Sequence, residues 1–181
     1  MVVVDEQTLL YSRLVLADGQ VVEFRPIGPD DVMLERDFIH HLSNQSKHFR
    51  FMGNIKECSS SMLYQFTHPD PEQEVAIIGL VKQEHEQEIA VARFAVLPDQ
   101  KSCEFAIAIA DAWQRKGIGR YLLRQLMAIA ANRGLTQMRG LVLADNTGML
   151  TLCKTLGFRI FAEPTDHQTM VVIKSLDKAL P

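Results

Sequence analysis

No part of this chain constrains its fold more than Gln114-Arg115-Lys116-Gly117-Ile118-Gly119-Arg120. An apolar, strand-like run over residues 105–110 precedes it, and a helical pattern from residue 118 to about 133 follows. A helix start exposes unpaired N–H groups and roughly half an elementary positive charge. Two glycines there let a ligand's oxygens approach the backbone, because no Cβ intervenes. Arg115, Lys116 and Arg120 add positive charge at the same place. This chemistry asks for a diphosphate seated on a helix N-terminus.

Two common diphosphate loops do not fit. The Walker A loop needs Gly-Lys-Ser/Thr, whereas Gly119 is followed by Arg120 and Tyr121. The dinucleotide fingerprint needs a third glycine where Leu122 stands, and no βαβ unit opens the chain. What remains, Gln-x-x-Gly-x-Gly after a strand, resembles the acyl-coenzyme A loop of the GNAT acetyltransferases. A plain helix start with solvated basic residues is the alternative. Downstream come the apolar run Leu141-Val142-Leu143-Ala144, then Asp145-Asn146, a helical stretch over residues 149–156, and Leu156-Gly157-Phe158. Asn146 reads as a helix N-cap and Gly157 as a left-handed helix terminus. That order is similar to the end of GNAT proteins.

The resemblance extends further. Leu16-Ala17-Asp18-Gly19, Phe24-Arg25-Pro26-Ile27, Leu42-Ser43-Asn44-Gln45-Ser46, Phe49-Arg50-Phe51-Met52 and Glu104-Phe105-Ala106 look like the acetyltransferase domain of bacterial Pat-type protein lysine acetyltransferases. In many of those proteins the domain follows a large acyl-CoA-synthetase-like region, for which 181 residues leave no room. The expectation is therefore one domain over residues 1–181, with a core over about residues 22–176 behind an N-terminal hairpin strand. The resemblance implies an α+β GNAT fold: a mixed, mainly antiparallel sheet, helices on both faces, and a splayed strand pair holding the acyl-CoA. It implies acetyl-CoA as co-substrate and a protein lysine, such as one on an acyl-CoA synthetase, as acceptor.

Bulk composition agrees. A chain of this length with 47% hydrophobic residues supports one ordinary core. A net charge of −3 argues against nucleic-acid binding, which favours a basic excess. Cys58, Cys103 and Cys153 include no C-x-x-C pair, which suggests reduced thiols in a cytoplasmic protein. No apolar run approaches the ~18 residues that span a bilayer. The first seven residues carry acids and no bases, unlike a secretory signal. His40, His41 and His48 lack a carboxylate or cysteine to complete a ligand set, so no metal is expected. The sequence leaves room for a homodimer.

Asp18-Gly19 between residues 9–16 and 20–24 predicts a two-residue hairpin. Pro29 with Asp30 and Asp31 predicts a helix to about residue 41. Ser59 to Ser61 predict the cap of another through Phe66. Tyr64, Phe66 and the segment 49–52 read as core and loop packing, although the resemblance implies that early helices border the acceptor site. Strands are expected over residues 75–81, 88–97 and 102–110.

Acetyl transfer to an amine needs the neutral amine. A lysine of pKa ~10.4 makes that cost roughly 4–5 kcal/mol at pH 7. A carboxylate in reach can take the proton. Glu104 is the candidate, ten residues ahead of Gln114, where the protein-acetylating GNAT branch carries its base. It shares a strand face with Ala106, Ala108 and Ala110, which leaves room for a pantetheine arm, and apolar neighbours are expected to raise its pKa. A surface glutamate without a role is the alternative. By resemblance, Ile107, Ala108 and Ile109 pair with pantetheine, Gln114, Arg115, Lys116, Gly117, Ile118, Gly119 and Arg120 hold the diphosphate, and Asn146 reaches the far side of the arm. Cys153 stands where many GNAT enzymes place a tyrosine acid, and reads better as packing. Glu74, with Asp70 and Glu72 nearby, is a second carboxylate able to meet a basic substrate. A small-amine acceptor and a non-catalytic acyl-CoA sensor remain open.

Overall fold

The structure is a computed structural model describing residues 5–53, 55 and 57–176. Its elements are α1 (Glu6–Leu10), β1 (Ser12–Val15), β2 (Val21–Pro26), α2 (Val32–His41), α3 (Asn44–Phe51), α4 (Ser60–Thr67), β3 (Glu74–Lys82), β4 (Glu86–Val96), β5 (Ser102–Ile109), α5 (Ile118–Asn132), β6 (Gln137–Leu143), α6 (Thr147–Thr155), β7 (Arg159–Glu163) and β8 (Asp166–Ser175). Eight strands form one sheet in the order β1-β2-β3-β4-β5-β6-β8-β7. Every neighbouring pair is antiparallel except β5 and β6. The fold is the expected α+β arrangement.

β3 is buried on both faces, so its sequence is a continuous apolar run rather than an alternating one. Ile77 faces one core with Phe24, Phe94 and the α5 stripe of Ile118, Leu122, Leu126 and Ile129. Its neighbour Ile78 faces the other core with Phe38, Ile39, Leu80 and Val91. That α5 stripe is wholly enclosed, and each such side chain contributes about 1.5–3 kcal/mol of transfer free energy. Gly79 lets the ring of Phe24 lie against β3, since a Cβ there would stand 2.9 Å from it.

The first strand begins later than predicted. Leu9 and Leu10 close α1, where the Leu9 N–H donates to the Asp5 carbonyl at 3.2 Å and Leu9 packs into the core. The hairpin also differs. Leu16 still pairs with Gln20, leaving a three-residue loop with Gly19 left-handed at φ +83°, a tight turn plus a bulge. The residues 44–51 form a helix that residue-by-residue patterning did not reveal. Ser43 caps it by accepting from the Ser46 N–H. After Leu156-Gly157-Phe158 the chain makes two strands, with β8 inserted between β6 and β7.

Candidate active site

The parallel pair β5–β6 is joined only from Ser102 to Glu104, opposite Gln137 to Arg139. The next step would set Phe105 beside Gly140. The Phe105 ring already fills that space: a Cβ on Gly140 would lie 2.5 Å from it. The strands part from there, and β5 continues with one edge open. The gap widens into a cleft of about 660 Å³.

β5 supplies one wall of the cleft through residues 105–109, and the start of α6 supplies the other. At its end stands the α5 N-terminus. Arg115 and Gly117 are both left-handed, at φ +61° and +90°, which turns successive N–H groups toward one side. Tyr121 N–H donates to the Gly117 carbonyl, so the N–H groups of the first helical turn before it have no helical acceptor. Gly117 has open space around it and is demanded by its conformation. Gly119 is demanded by proximity, since a Cβ would meet the side chains of Ile109 and Leu152 at 3.2 Å. The free amides, the glycines and the guanidinium-bearing Arg115 and Arg120 on the lining suit a diphosphate.

Gln114 is bound in place, its amide donating to the Ile109 carbonyl at 3.0 Å and to Ser46 Oγ at 3.1 Å. Asp111 accepts from the Ser43 N–H, Ser43 Oγ and Ser46 Oγ. Burial alone would raise the Asp111 pKa, and those donors bring it below the ordinary carboxylate value. Together they fasten α3 to the loop. Asn146 caps α6 through the Met149 N–H at 3.1 Å and also lines the cleft.

Ile107, Ala108, Ile109, Gln114, Arg115, Gly117, Gly119, Arg120 and Asn146 line this cleft together. Two of the residues expected to hold the cofactor do not line it. Lys116 reaches Asp18 at 2.9 Å, over the Trp113 ring, and Ile118 is buried in the core. That ion pair between exposed groups is worth little.

Glu104 lies at the last joined position of the splayed pair. It lines a smaller chamber of about 200 Å³ that adjoins the cleft through Arg50, Phe105 and Ala106. Glu74 and Arg93 face the same chamber. The purely apolar setting expected for Glu104 is not what surrounds it. Arg139, its partner across the parallel step, holds Nε 2.9 Å from Oε2. The pair is Coulombic, because the same Nε–H is not aligned with any acceptor. Cys153 is fully buried, and burial pushes its thiol up to about 12, so it holds its proton.

Sequence reasoning missed α3 as a wall. Gln45, Ser46, Phe49 and Arg50 all line the cleft. Ser43 preceding Asn44 was the available helix-start signal. Arg139 gave no signal, because its pairing depends on strand register.

A model described as the Acetyltransferase (GNAT) family matches residues 37–158. Acetyltransferase PA5475 of Pseudomonas aeruginosa is 37% identical over 157 residues, covering 86% of this chain and 84% of that protein. The GNAT domain of S. lividans PAT superposes with a TM-score of 0.84 at 24% identity, over 92% of this chain and 97% of that one. The structure of yncA from Salmonella typhimurium with acetyl-CoA matches with a TM-score of 0.70 at 16% identity, over 88% of this chain and 96% of that one.

Proposed function

The chain belongs to the GNAT acetyltransferase family and is an acyl-CoA-dependent N-acetyltransferase with acetyl-CoA as co-substrate; we propose that its acceptor is a primary amine, a protein lysine before others, and that Glu104 is the general base. The observation that carries this reading is the position of Glu104. It stands at the root of the strand opening, in the chamber that adjoins the cleft.

Bound acetyl-CoA supplies an activated acyl group as a thioester. Arg115, Arg120 and the amides of residues 115–120 hold its diphosphate, with Lys116 and Ile118 contributing through backbone rather than side chain. The exposed edge of β5 at Ile107, Ala108 and Ile109 aligns the arm, and Asn146 closes its far side. Glu104 accepts the proton of the incoming ammonium, directly or through water. The freed nitrogen forms a bond to the thioester carbon, the nitrogen then gives its second proton to solvent as the carbon–sulfur bond breaks, and the departing thiolate takes a proton from solvent. Arg139 fixes the carboxylate rotamer. Residues 22–176 act as one catalytic core in this reading.

The segments that resemble Pat-type protein lysine acetyltransferases, residues 42–46 and 49–52 among them, support a protein lysine acceptor. A free small amine is the second reading, favoured by the chamber's modest volume of about 200 Å³. Labelled acetyl-CoA incubated with lysine-bearing proteins, an acyl-CoA synthetase among them, tests both. Glu104→Gln is expected to lower turnover on the order of 10²- to 10⁴-fold with acetyl-CoA binding retained. Equal labelling by parent and variant removes Glu104 from the mechanism.

A further inference from the structure

The chamber beside Glu104 carries two cations as well as two anions. Glu74, Ala95 and Glu104 form one row across β3, β4 and β5. Ala76, Arg93 and Ala106 form the next row on the same face. The flanking alanines leave space above these rows. Arg50 arrives from α3 and lines both the chamber and the cleft.

Arg50 is unusual among the cations of this fold. Its guanidinium stacks on Phe51 and Phe66, with its central carbon 5.0 and 5.6 Å from the ring centres. Among the described residues it forms no ion pair. Arg93 approaches the other side of the same chamber, 4.7 Å from the Phe66 centre. Arg93 leans on Glu35 at 3.8 Å and on the Phe66 carbonyl at 3.2 Å, but its Nε–H is buried without an acceptor. Enclosure, and then the charge of Arg93, bring Arg50 down to about 10. Arg50 is half-buried with no ion pair among the described residues to occupy its fork, and a guanidinium fork matches a carboxylate in two parallel bonds.

We propose that this chamber selects an acceptor bearing a carboxylate beside its amine, with Arg50 binding the carboxylate while the amine faces Glu104. This rests on the acetyl-transfer reading above and names the class of acceptor within it. Opposite charges stand apart on the walls, and no ion pair joins Arg50 or Arg93 to Glu74 or Glu104. A zwitterion complements that arrangement. A neutral amine leaves Arg50 unmatched, and a polyamine is repelled by it. A free amino acid and a protein lysine flanked by an acidic residue present the same chemistry.

The test uses the full chain, acetyl-CoA and matched acceptors: lysine against cadaverine, phenylalanine against phenethylamine, and a lysyl peptide flanked by Glu against one flanked by Gln. The carboxylate-bearing member of at least one pair is expected to show about tenfold or higher kcat/KM, the order of a charged hydrogen bond. The free pairs and the peptide pair separate the two sources. Arg50→Gln brings that ratio close to one, and Arg50→Lys, which keeps charge without the fork, falls between. A parent enzyme indifferent to the carboxylate, or a ratio unchanged in Arg50→Gln, overturns the proposal. Calorimetry with 6-aminohexanoate and hexanoate reads the site without turnover. Binding by the parent that weakens in Arg50→Gln supports the anion site even where no amine is acetylated, and absence of binding to both acids overturns it. Failure of the transfer reading is thereby separated from failure of Arg50. A matching melting temperature for Arg50→Lys shows that the fold is intact.

Discussion

At the residue scale, the charges set inside the fold are as informative as those in the cleft. Glu35 and Glu88 are almost fully buried, 1% and 3% exposed. With both ionised, neither Glu88 oxygen has a donor. A protonated Glu88 donates to Glu35 instead. Burial first, then the charge of Glu35, raises Glu88 well above the ordinary carboxylate value, against the opposing pull of Arg93. Folded Glu88 therefore keeps its proton at pH values where the unfolded chain, near pKa ~4.3, has lost it. The stability it contributes is present below that value and declines as pH rises. Glu88→Gln, neutral throughout, is expected to melt higher relative to the parent at pH 8 than at pH 5. Parallel melting-temperature profiles for the two proteins refute the buried-proton account. Asp31 has the opposite sense. Burial would raise it, yet bidentate Arg25 at 2.7 Å and the Gly28 N–H bring it below the ordinary value. Its contribution holds above that value and fades in acid.

At the element scale, the proposed cofactor site rests on helix termini that the strands position. Gly117 and Gly119 are adjacent glycines of one motif with different physical reasons. A left-handed backbone at Gly117 penalises a Cβ by roughly 1–2 kcal/mol, and Asn tolerates it better than Ala. Thermal unfolding is expected to rank Gly117 above Gly117→Asn above Gly117→Ala, with acetyl-CoA KM rising in the same order. An alanine variant as stable as the asparagine one means that the helix begins differently. Much of this element level was legible beforehand. The α5 boundaries, the Asn146 cap and the apolar β3 are local statements, written in spacing and side-chain type. α3 was not legible in this way. Its sequence Asn-Gln-Ser-Lys-His-Phe-Arg-Phe is mostly polar, and its burial comes from lying against β5 and the loop, with Ser43 and Ser46 bound to Asp111 68 and 65 residues away.

At the scale of the whole molecule, the cleft joins segments separated by about a hundred residues: α3, β5, the α5 start and α6. A ligand bridging them binds only the folded chain and adds stability by mass action, about 2.7 kcal/mol at a hundred times its Kd. Acetyl-CoA at that excess is expected to raise the melting temperature by about 5–10 °C. Arg120→Gln is expected to reduce the shift if its guanidinium holds the diphosphate as proposed. An unchanged melting temperature with acetyl-CoA denies that these segments form one binding site.

Sequence alone determined the sheet-and-helix framework, the glycine-bearing helix start and the family, because glycine conformation, helix caps and apolar periodicity are properties of neighbouring residues. Only the tertiary structure decided which charges meet. Arg139 reaches Glu104 through the register of two parallel strands, Lys116 is drawn to Asp18, and Arg50 stands beside the chamber with no ion pair among the described residues. Electrostatic partnership is set by distance in space. Spacing along the chain carries no record of it.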